Sequence, residues 1–98
     1  MNIKQSVIAI TGAAGGLGAA MARRFAAQGA SLALVDYRPE MLEELASELD
    51  MDRQSLLLLP CDVSKESDVD EAFKKIAEHF GRLDVLINNA GITRDALT

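Results

Sequence analysis

Tryptophan is absent from these 98 residues, and aromatic side chains together make up 4 %. The core must therefore be aliphatic, built from Leu, Ile, Val, Ala and Met, and an aromatic-rich recognition surface is excluded. With one cysteine, Cys61, no internal disulfide can form. The one histidine, His79, has no CxxC pair or second histidine to join it, which excludes a zinc site of the usual spacing. Basic clusters are missing as well: ten Lys and Arg lie scattered against fifteen Asp and Glu, for a net charge of −5. Contact with phosphate backbones needs clustered cations, so nucleic acid is excluded as a partner. The acids gather at 40–52 and 62–78, the pattern of solvated helix faces. No apolar run is long enough to cross a bilayer, and the opening MNIKQSVIAITG lacks a signal-peptide layout. These features lead to the expectation of a cytoplasmic, reducing compartment and no membrane partner.

What is present is alternation. Hydrophobic residues make up 49 % of the chain and charged residues 26 %, an ordinary globular balance. Short apolar runs at 7–10, 32–35, 56–59 and 83–87 are separated by helical patterns. The first helical stretch runs to about Gln28, with Leu17, Met21 and Phe25 on one stripe and Gly29 at its end. The second opens on Pro39 and carries Leu42, Leu45 and Leu49. The third has Ser64 as its expected N-cap and turns Val69, Phe73, Ile76 and Phe80 inward. Gly81 ends it, and outward i,i+4 pairs join Asp70 to Lys74 and Glu71 to Lys75. This is a β-α-β-α-β-α-β succession, the mark of a parallel sheet. Right-handed crossovers, with the third passing to the opposite face, give strand order 3-2-1-4. The fold class is thus α/β, a Rossmann-type doubly wound sheet.

The strongest motif is Thr11-Gly12-Ala13-Ala14-Gly15-Gly16-Leu17-Gly18, directly after a strand and opening a helix. A pyrophosphate needs backbone N–H groups aimed at it, no Cβ in the way and a helix N-terminus behind. Gly12 suits the tight turn, Gly16 the approach of the phosphates, and Gly18 close packing of helix on sheet. Alone, such a cluster is also compatible with a flexible turn. Asp36 adds the second element, at the end of the next strand and eighteen residues after Gly18. There a carboxylate accepts hydrogen bonds from both ribose hydroxyls and repels a 2′-phosphate. Arg38 leaves alternatives open: it could meet a 2′-phosphate, stack on adenine, pair with Asp36, or face water. The preference is NAD over NADP. A P-loop is excluded, because Ala19 and Ala20 stand where Lys and Ser/Thr would follow Gly18.

These residues resemble the short-chain dehydrogenases/reductases. Thr11-Gly12, Gly16 and Gly18 are similar to the family's first fingerprint, and Asn88-Asn89-Ala90-Gly91 to its second. Cys61-Asp62-Val63 is similar to its adenine-contacting step. The resemblance covers the whole chain. It implies that Gly12, Gly15, Gly16, Leu17 and Gly18 hold a pyrophosphate, and that Asp36, with Tyr37 and Arg38 beside it, takes the adenosine ribose. It implies Cys61, Asp62 and Val63 at the adenine and Asn89, Ala90 and Gly91 along the cofactor's middle, with Asn88 tying strands together. The stretch from Asn88 to Asp95 looks more specifically like 3-oxoacyl-carrier-protein and acetoacetyl-CoA reductases. Many of those use NADPH, from which Asp36 departs.

The implied activity is hydride transfer between NAD(H) and an alcohol or ketone, a 3-oxoacyl thioester being one candidate. The partners are then the dinucleotide, a small carbonyl or alcohol substrate, and further copies in a dimer or tetramer. Family members use Ser and a Tyr-x-x-x-Lys pair. Here the one tyrosine, Tyr37, is followed four residues later by Met41. No catalytic residue and no metal ligand is assigned. The expectation is the N-terminal part of one dinucleotide-binding domain whose remainder, with the Tyr-x-x-x-Lys pair, lies after position 98. Two other readings stay open, a non-catalytic nucleotide-binding module and an interaction protein of the same descent. Only the latter predicts that Asp36→Ala leaves NAD binding untouched.

Overall fold

The computed structural model describes residues 3–89. In chain order they form β1 (Val7–Thr11), α1 (Gly16–Ala27), β2 (Ser31–Asp36), α2 (Pro39–Leu49), β3 (Leu56–Pro60), α3 (Glu66–Phe80) and β4 (Val85–Ile87), with a 3-10 turn (Arg53–Ser55) before β3. Every strand pairing is parallel and the order is β3-β2-β1-β4, as the alternation predicts. Ile8 stands in register with Leu32 and Val85, and Ile10 with Leu34 and Ile87.

Period-two alternation divides the core between the faces. Ile8, Ile10, Leu32 and Leu34 meet α1 and α2 through Ala19, Ala22, Leu42 and Leu45. Val7, Ala9, Ala33 and Val35 meet α3 through Ala72 and Ile76, with Leu59 and Cys61 beside them. Full burial of each large aliphatic side chain contributes about 1.5–3 kcal/mol. One helix covers the second face where two cover the first. Val63, Phe73 and Leu86 are accordingly exposed around a shallow apolar depression. No helix among the described residues is long and apolar enough to cross a membrane.

Five local expectations need correction. On α3 the buried positions are Ala72 and Ile76, whereas Phe73, expected to turn inward, is exposed. On α1 the buried positions are Gly18, Ala19 and Ala22, whereas Leu17 is 60 % exposed and Met21 and Phe25 are only partly buried. The helix lies so close to the sheet that small side chains fill its contact, and the large stripe falls to its margin. On α3 the cap position is Lys65, not Ser64. The Ser64 hydroxyl and N–H both donate to the Asp62 carboxylate, at 2.6 and 3.0 Å, which holds Ser64 in the turn before the helix and leaves Lys65 at the cap position. Strand β4 begins at Val85 rather than Leu83; just before it Asp84 holds Val7 twice, its backbone N–H donating to the Val7 carbonyl at 2.9 Å and its Oδ2 accepting from the Val7 N–H at 2.8 Å. The ion pairs among the described residues join Arg23 to Glu48, Arg38 to Asp36 and Arg82 to Asp84, rather than the charges along α3.

Candidate functional site

At the carboxyl end of β1 the chain turns through Gly12, whose φ of 64° is the left-handed conformation that favours glycine. The Gly12 carbonyl accepts from the Gly15 N–H at 3.2 Å, closing the turn. Two alanines anchor it to β2. The Ala13 N–H donates to the Val35 carbonyl at 3.0 Å, and the Ala14 N–H to Asp36 Oδ2 at 3.1 Å. These anchors were invisible in the sequence, since they use only the backbone of small residues. On the other side the Asn89 amide donates to the Gly12 carbonyl at 3.2 Å, and the Thr11 hydroxyl lies 3.2 Å from the Asn88 side-chain oxygen. The loops after β1 and β4 are therefore bound together, as expected for Asn88 and in a way not expected for Asn89.

The glycines divide by what surrounds them. A Cβ on Gly18 would lie 2.2 Å from the Gly12 carbonyl oxygen and 2.9 Å from Ala13 Cα. The close approach thus falls on the loop's own backbone rather than on the sheet. A Cβ on Gly16 would meet nothing within 4 Å. Gly15 caps α1 without a side-chain hydrogen bond, and no acid stands in the first turn. The first N–H groups of a helix have no intrahelical partner and carry the positive end of its dipole.

Asp36 is 3 % exposed. Its Oδ1 accepts from the Arg38 backbone N–H at 3.0 Å and from Arg38 Nε at 2.9 Å. Its Oδ2 accepts from the Ala14 N–H and from Arg38 Nη2 at 3.2 Å. Burial pushes this carboxyl up, but the Arg38 guanidinium and the two backbone N–H groups outweigh it and hold it below the ordinary carboxylate value. Arg38 is thus paired with Asp36. The Arg38 guanidinium carbon also lies 5.2 Å from the centre of the Tyr37 ring, which is itself 69 % exposed.

After β3 the Cys61 N–H donates to the Asp36 carbonyl at 3.0 Å, so this loop lies beside the previous one. Burial raises the Cys61 thiol, with Asp68 and Asp62 adding to it, which keeps it protonated and inert. Asp62 is lowered by its hydrogen bonds from Ser64. Val63 is exposed. The structure thus brings Gly12, Gly15, Gly16, Gly18, Asp36, Arg38 and Asn89 to one end of the sheet, with Leu17 exposed at the start of α1. Ala90 and Gly91 lie outside the described residues. No group of three metal-ligating side chains occurs among the described residues.

A family model described as short chain dehydrogenase matches residues 6–98. An uncharacterized oxidoreductase of Bacillus subtilis, YxjF, is 44 % identical over 90 residues, covering 92 % of this chain and 35 % of the relative. Human 15-hydroxyprostaglandin dehydrogenase [NAD(+)] is 38 % identical over 97 residues, covering 97 % and 36 %. Among solved structures, a 3-ketoacyl-(acyl-carrier-protein) reductase from Brucella melitensis complexed with NADH superposes with a TM-score of 0.79 at 39 % identity, covering 86 % of this chain and 34 % of that one. The chain spans about a third of the length of the proteins it matches.

Proposed function

The chain belongs to the short-chain dehydrogenase family, and from that premise we propose that it holds NAD(H) for an oxidoreductase acting on an alcohol or ketone. The observation that carries this is the bond between the glycine loop and the acid after β2, Ala14 N–H to Asp36 Oδ2 at 3.1 Å. It fixes a phosphate-type turn and a ribose-type carboxylate against each other, which neither motif alone would do. In this reading Gly12, Gly15, Gly16, Leu17 and Gly18 present backbone N–H groups to the pyrophosphate. The empty space over Gly16 fits that group, and so does a first turn without an acid. Asp36 accepts from the ribose hydroxyls. Cys61, Asp62 and Val63 border the adenine, with Tyr37 and Arg38 beside it, and Asn89, Ala90 and Gly91 follow the cofactor's middle.

A nicotinamide dinucleotide supplies hydride transfer when bound; the protein binds it, orients it and keeps water away. Among the described residues none is assigned the proton step. Tyr37 is exposed on the Asp36 side of the site and has Met41, not Lys, four residues on. NAD is favoured over NADP because a 2′-phosphate would meet the Asp36 carboxylate. The names of the human dehydrogenase and the Brucella complex, with NAD(+) and NADH, agree with that preference. The substrate class extends to 3-oxoacyl thioesters by likeness to the Brucella reductase, and the working form is a homo-oligomer.

Titration of NADH fluorescence tests the reading. Asp36→Ala removes acceptors worth about 1.5–3 kcal/mol for hydrogen bonds to a charged group. NADH affinity should fall about ten- to a hundredfold and the preference over NADPH should shrink. Unchanged NADH binding in that variant would overturn it.

A further inference from the structure

A carboxylate offers about four acceptor positions, two on each oxygen. At Asp36 all four are engaged: each oxygen takes one backbone N–H, from Arg38 or Ala14, and one nitrogen of the Arg38 guanidinium. The backbone donors are fixed by the fold. The guanidinium is not, since its side chain is 38 % exposed and hangs from a flexible stem. Its position adds a second observation. Arg38 Nη2 lies 4.0 Å from where a Gly15 Cβ would stand, so the guanidinium spans the opening between Asp36 and the glycine loop. That is the space an adenosine ribose would need on the reading above.

We propose that Arg38 is an internal competitor for the Asp36 acceptors, standing in for the two hydroxyls of a ribose diol. The guanidinium fork donates once to each oxygen, and a vicinal diol also brings two donors. Departure of Arg38 frees one position on Oδ1 and one on Oδ2, while the Arg38 and Ala14 N–H groups keep the carboxylate in place. Without a ligand, the same fork keeps a buried charge compensated. Arg38 thereby sets how strongly the site holds any ligand carrying the diol, and it has no such effect on a ligand that lacks it.

The inference rests on Asp36 being the ribose acceptor, and the test separates the two. Calorimetric titrations with 5′-ADP and 2′,3′-dideoxy-ADP give a ratio of affinities in which general charge effects cancel. In Arg38→Ala the ratio in favour of ADP should rise about fivefold, the size of a partly solvated ion pair. Arg38→Lys keeps the charge but lacks the fork, and should show a smaller rise in the same direction. No rise in either variant overturns the proposal, as does a rise that persists when Asp36→Ala is added. If Asp36→Ala alone leaves NADH binding unchanged, the ribose reading itself fails. If it weakens NADH binding while the ratio stays flat in both Arg38 variants, only the competitor role falls.

Discussion

Gly16 and Gly18 stand two residues apart in the same turn and answer to different constraints. Gly18 is required by the fold, because any Cβ would collide with the Gly12 carbonyl 2.2 Å away. Gly16 has no neighbour within 4 Å, so the fold itself does not demand a glycine there, and on the proposed reading the pyrophosphate does. Gly18→Ala should lower stability by about 1–3 kcal/mol, the usual cost of forcing extra atoms into a packed place, measured by urea unfolding. Gly16→Ala should leave the unfolding curve nearly unchanged and weaken NADH binding. Equal stability loss in both variants would remove the distinction. The sequence assigned Gly18 to close packing of helix on sheet, and the close approach is there but to a different partner. Gly18 packs against its own loop, which depends on how the turn closes and not on residue type.

Elements were the most legible level, because each rests on a repeating signal. The continuous apolar runs of β1 and β2, Pro39 at the start of α2 and Gly81 after α3 all stand where the pattern puts them. What failed was local competition. Ser64 had the right chemistry for a cap, but its two bonds to Asp62 hold it in the preceding turn, one residue short of the cap position. Leu17, Met21 and Phe25 had the right spacing, but the alanines opposite allow closer approach to the sheet. The same contrast between pattern and packing yields a measurement. Ile10 is fully buried and in register with Leu34, whereas Phe73 is 39 % exposed on the thinly covered face. Ile10→Ala should cost about 2–5 kcal/mol in chemical denaturation. Phe73→Ala should cost clearly less, since fewer contacts are lost; comparable losses would mean that α3 is held more tightly than its exposure implies.

For the molecule as a whole, strand order decides where the site lies. The chain moves outward from β1 to β2 and β3, then crosses back to place β4 on the other side of β1. The switch point falls between β1 and β4, and open α/β sheets bind their ligands outside such a point. Thr11, Gly12, Asn88 and Asn89 bond across that place. The order was readable from the alternation, but the bonds across the switch point were not, since they engage the Gly12 carbonyl and amide or hydroxyl groups with many options. The distribution of charge sets the acid limit of the same assembly. Asp36 is held low because Arg38 and two backbone N–H groups outweigh its burial, Glu48 by Arg23, Asp62 by Ser64 and Asp84 by Arg82. A carboxyl lowered in the folded state contributes stability above its unfolded value of about 4, and that stability is lost as pH falls through its folded value. Thermal unfolding should therefore be flat near neutrality and drop below about pH 4. Asp36→Asn should flatten that drop more than Asp62→Asn, because Asp36 is the buried member of the set.

Strand β3 has a further consequence. It lies at the edge of the sheet and carries four consecutive leucines, a segment prone to recruit other extended chains. The Cys61 N–H points inward to the Asp36 carbonyl, so the residue before it turns its nitrogen outward. That residue is Pro60, which has no hydrogen to offer. The outer rim thus ends on a position where a second strand could not continue its ladder. The proline that closes β3 leaves the outer rim without a donor at the end of the sheet where the loops of the site begin.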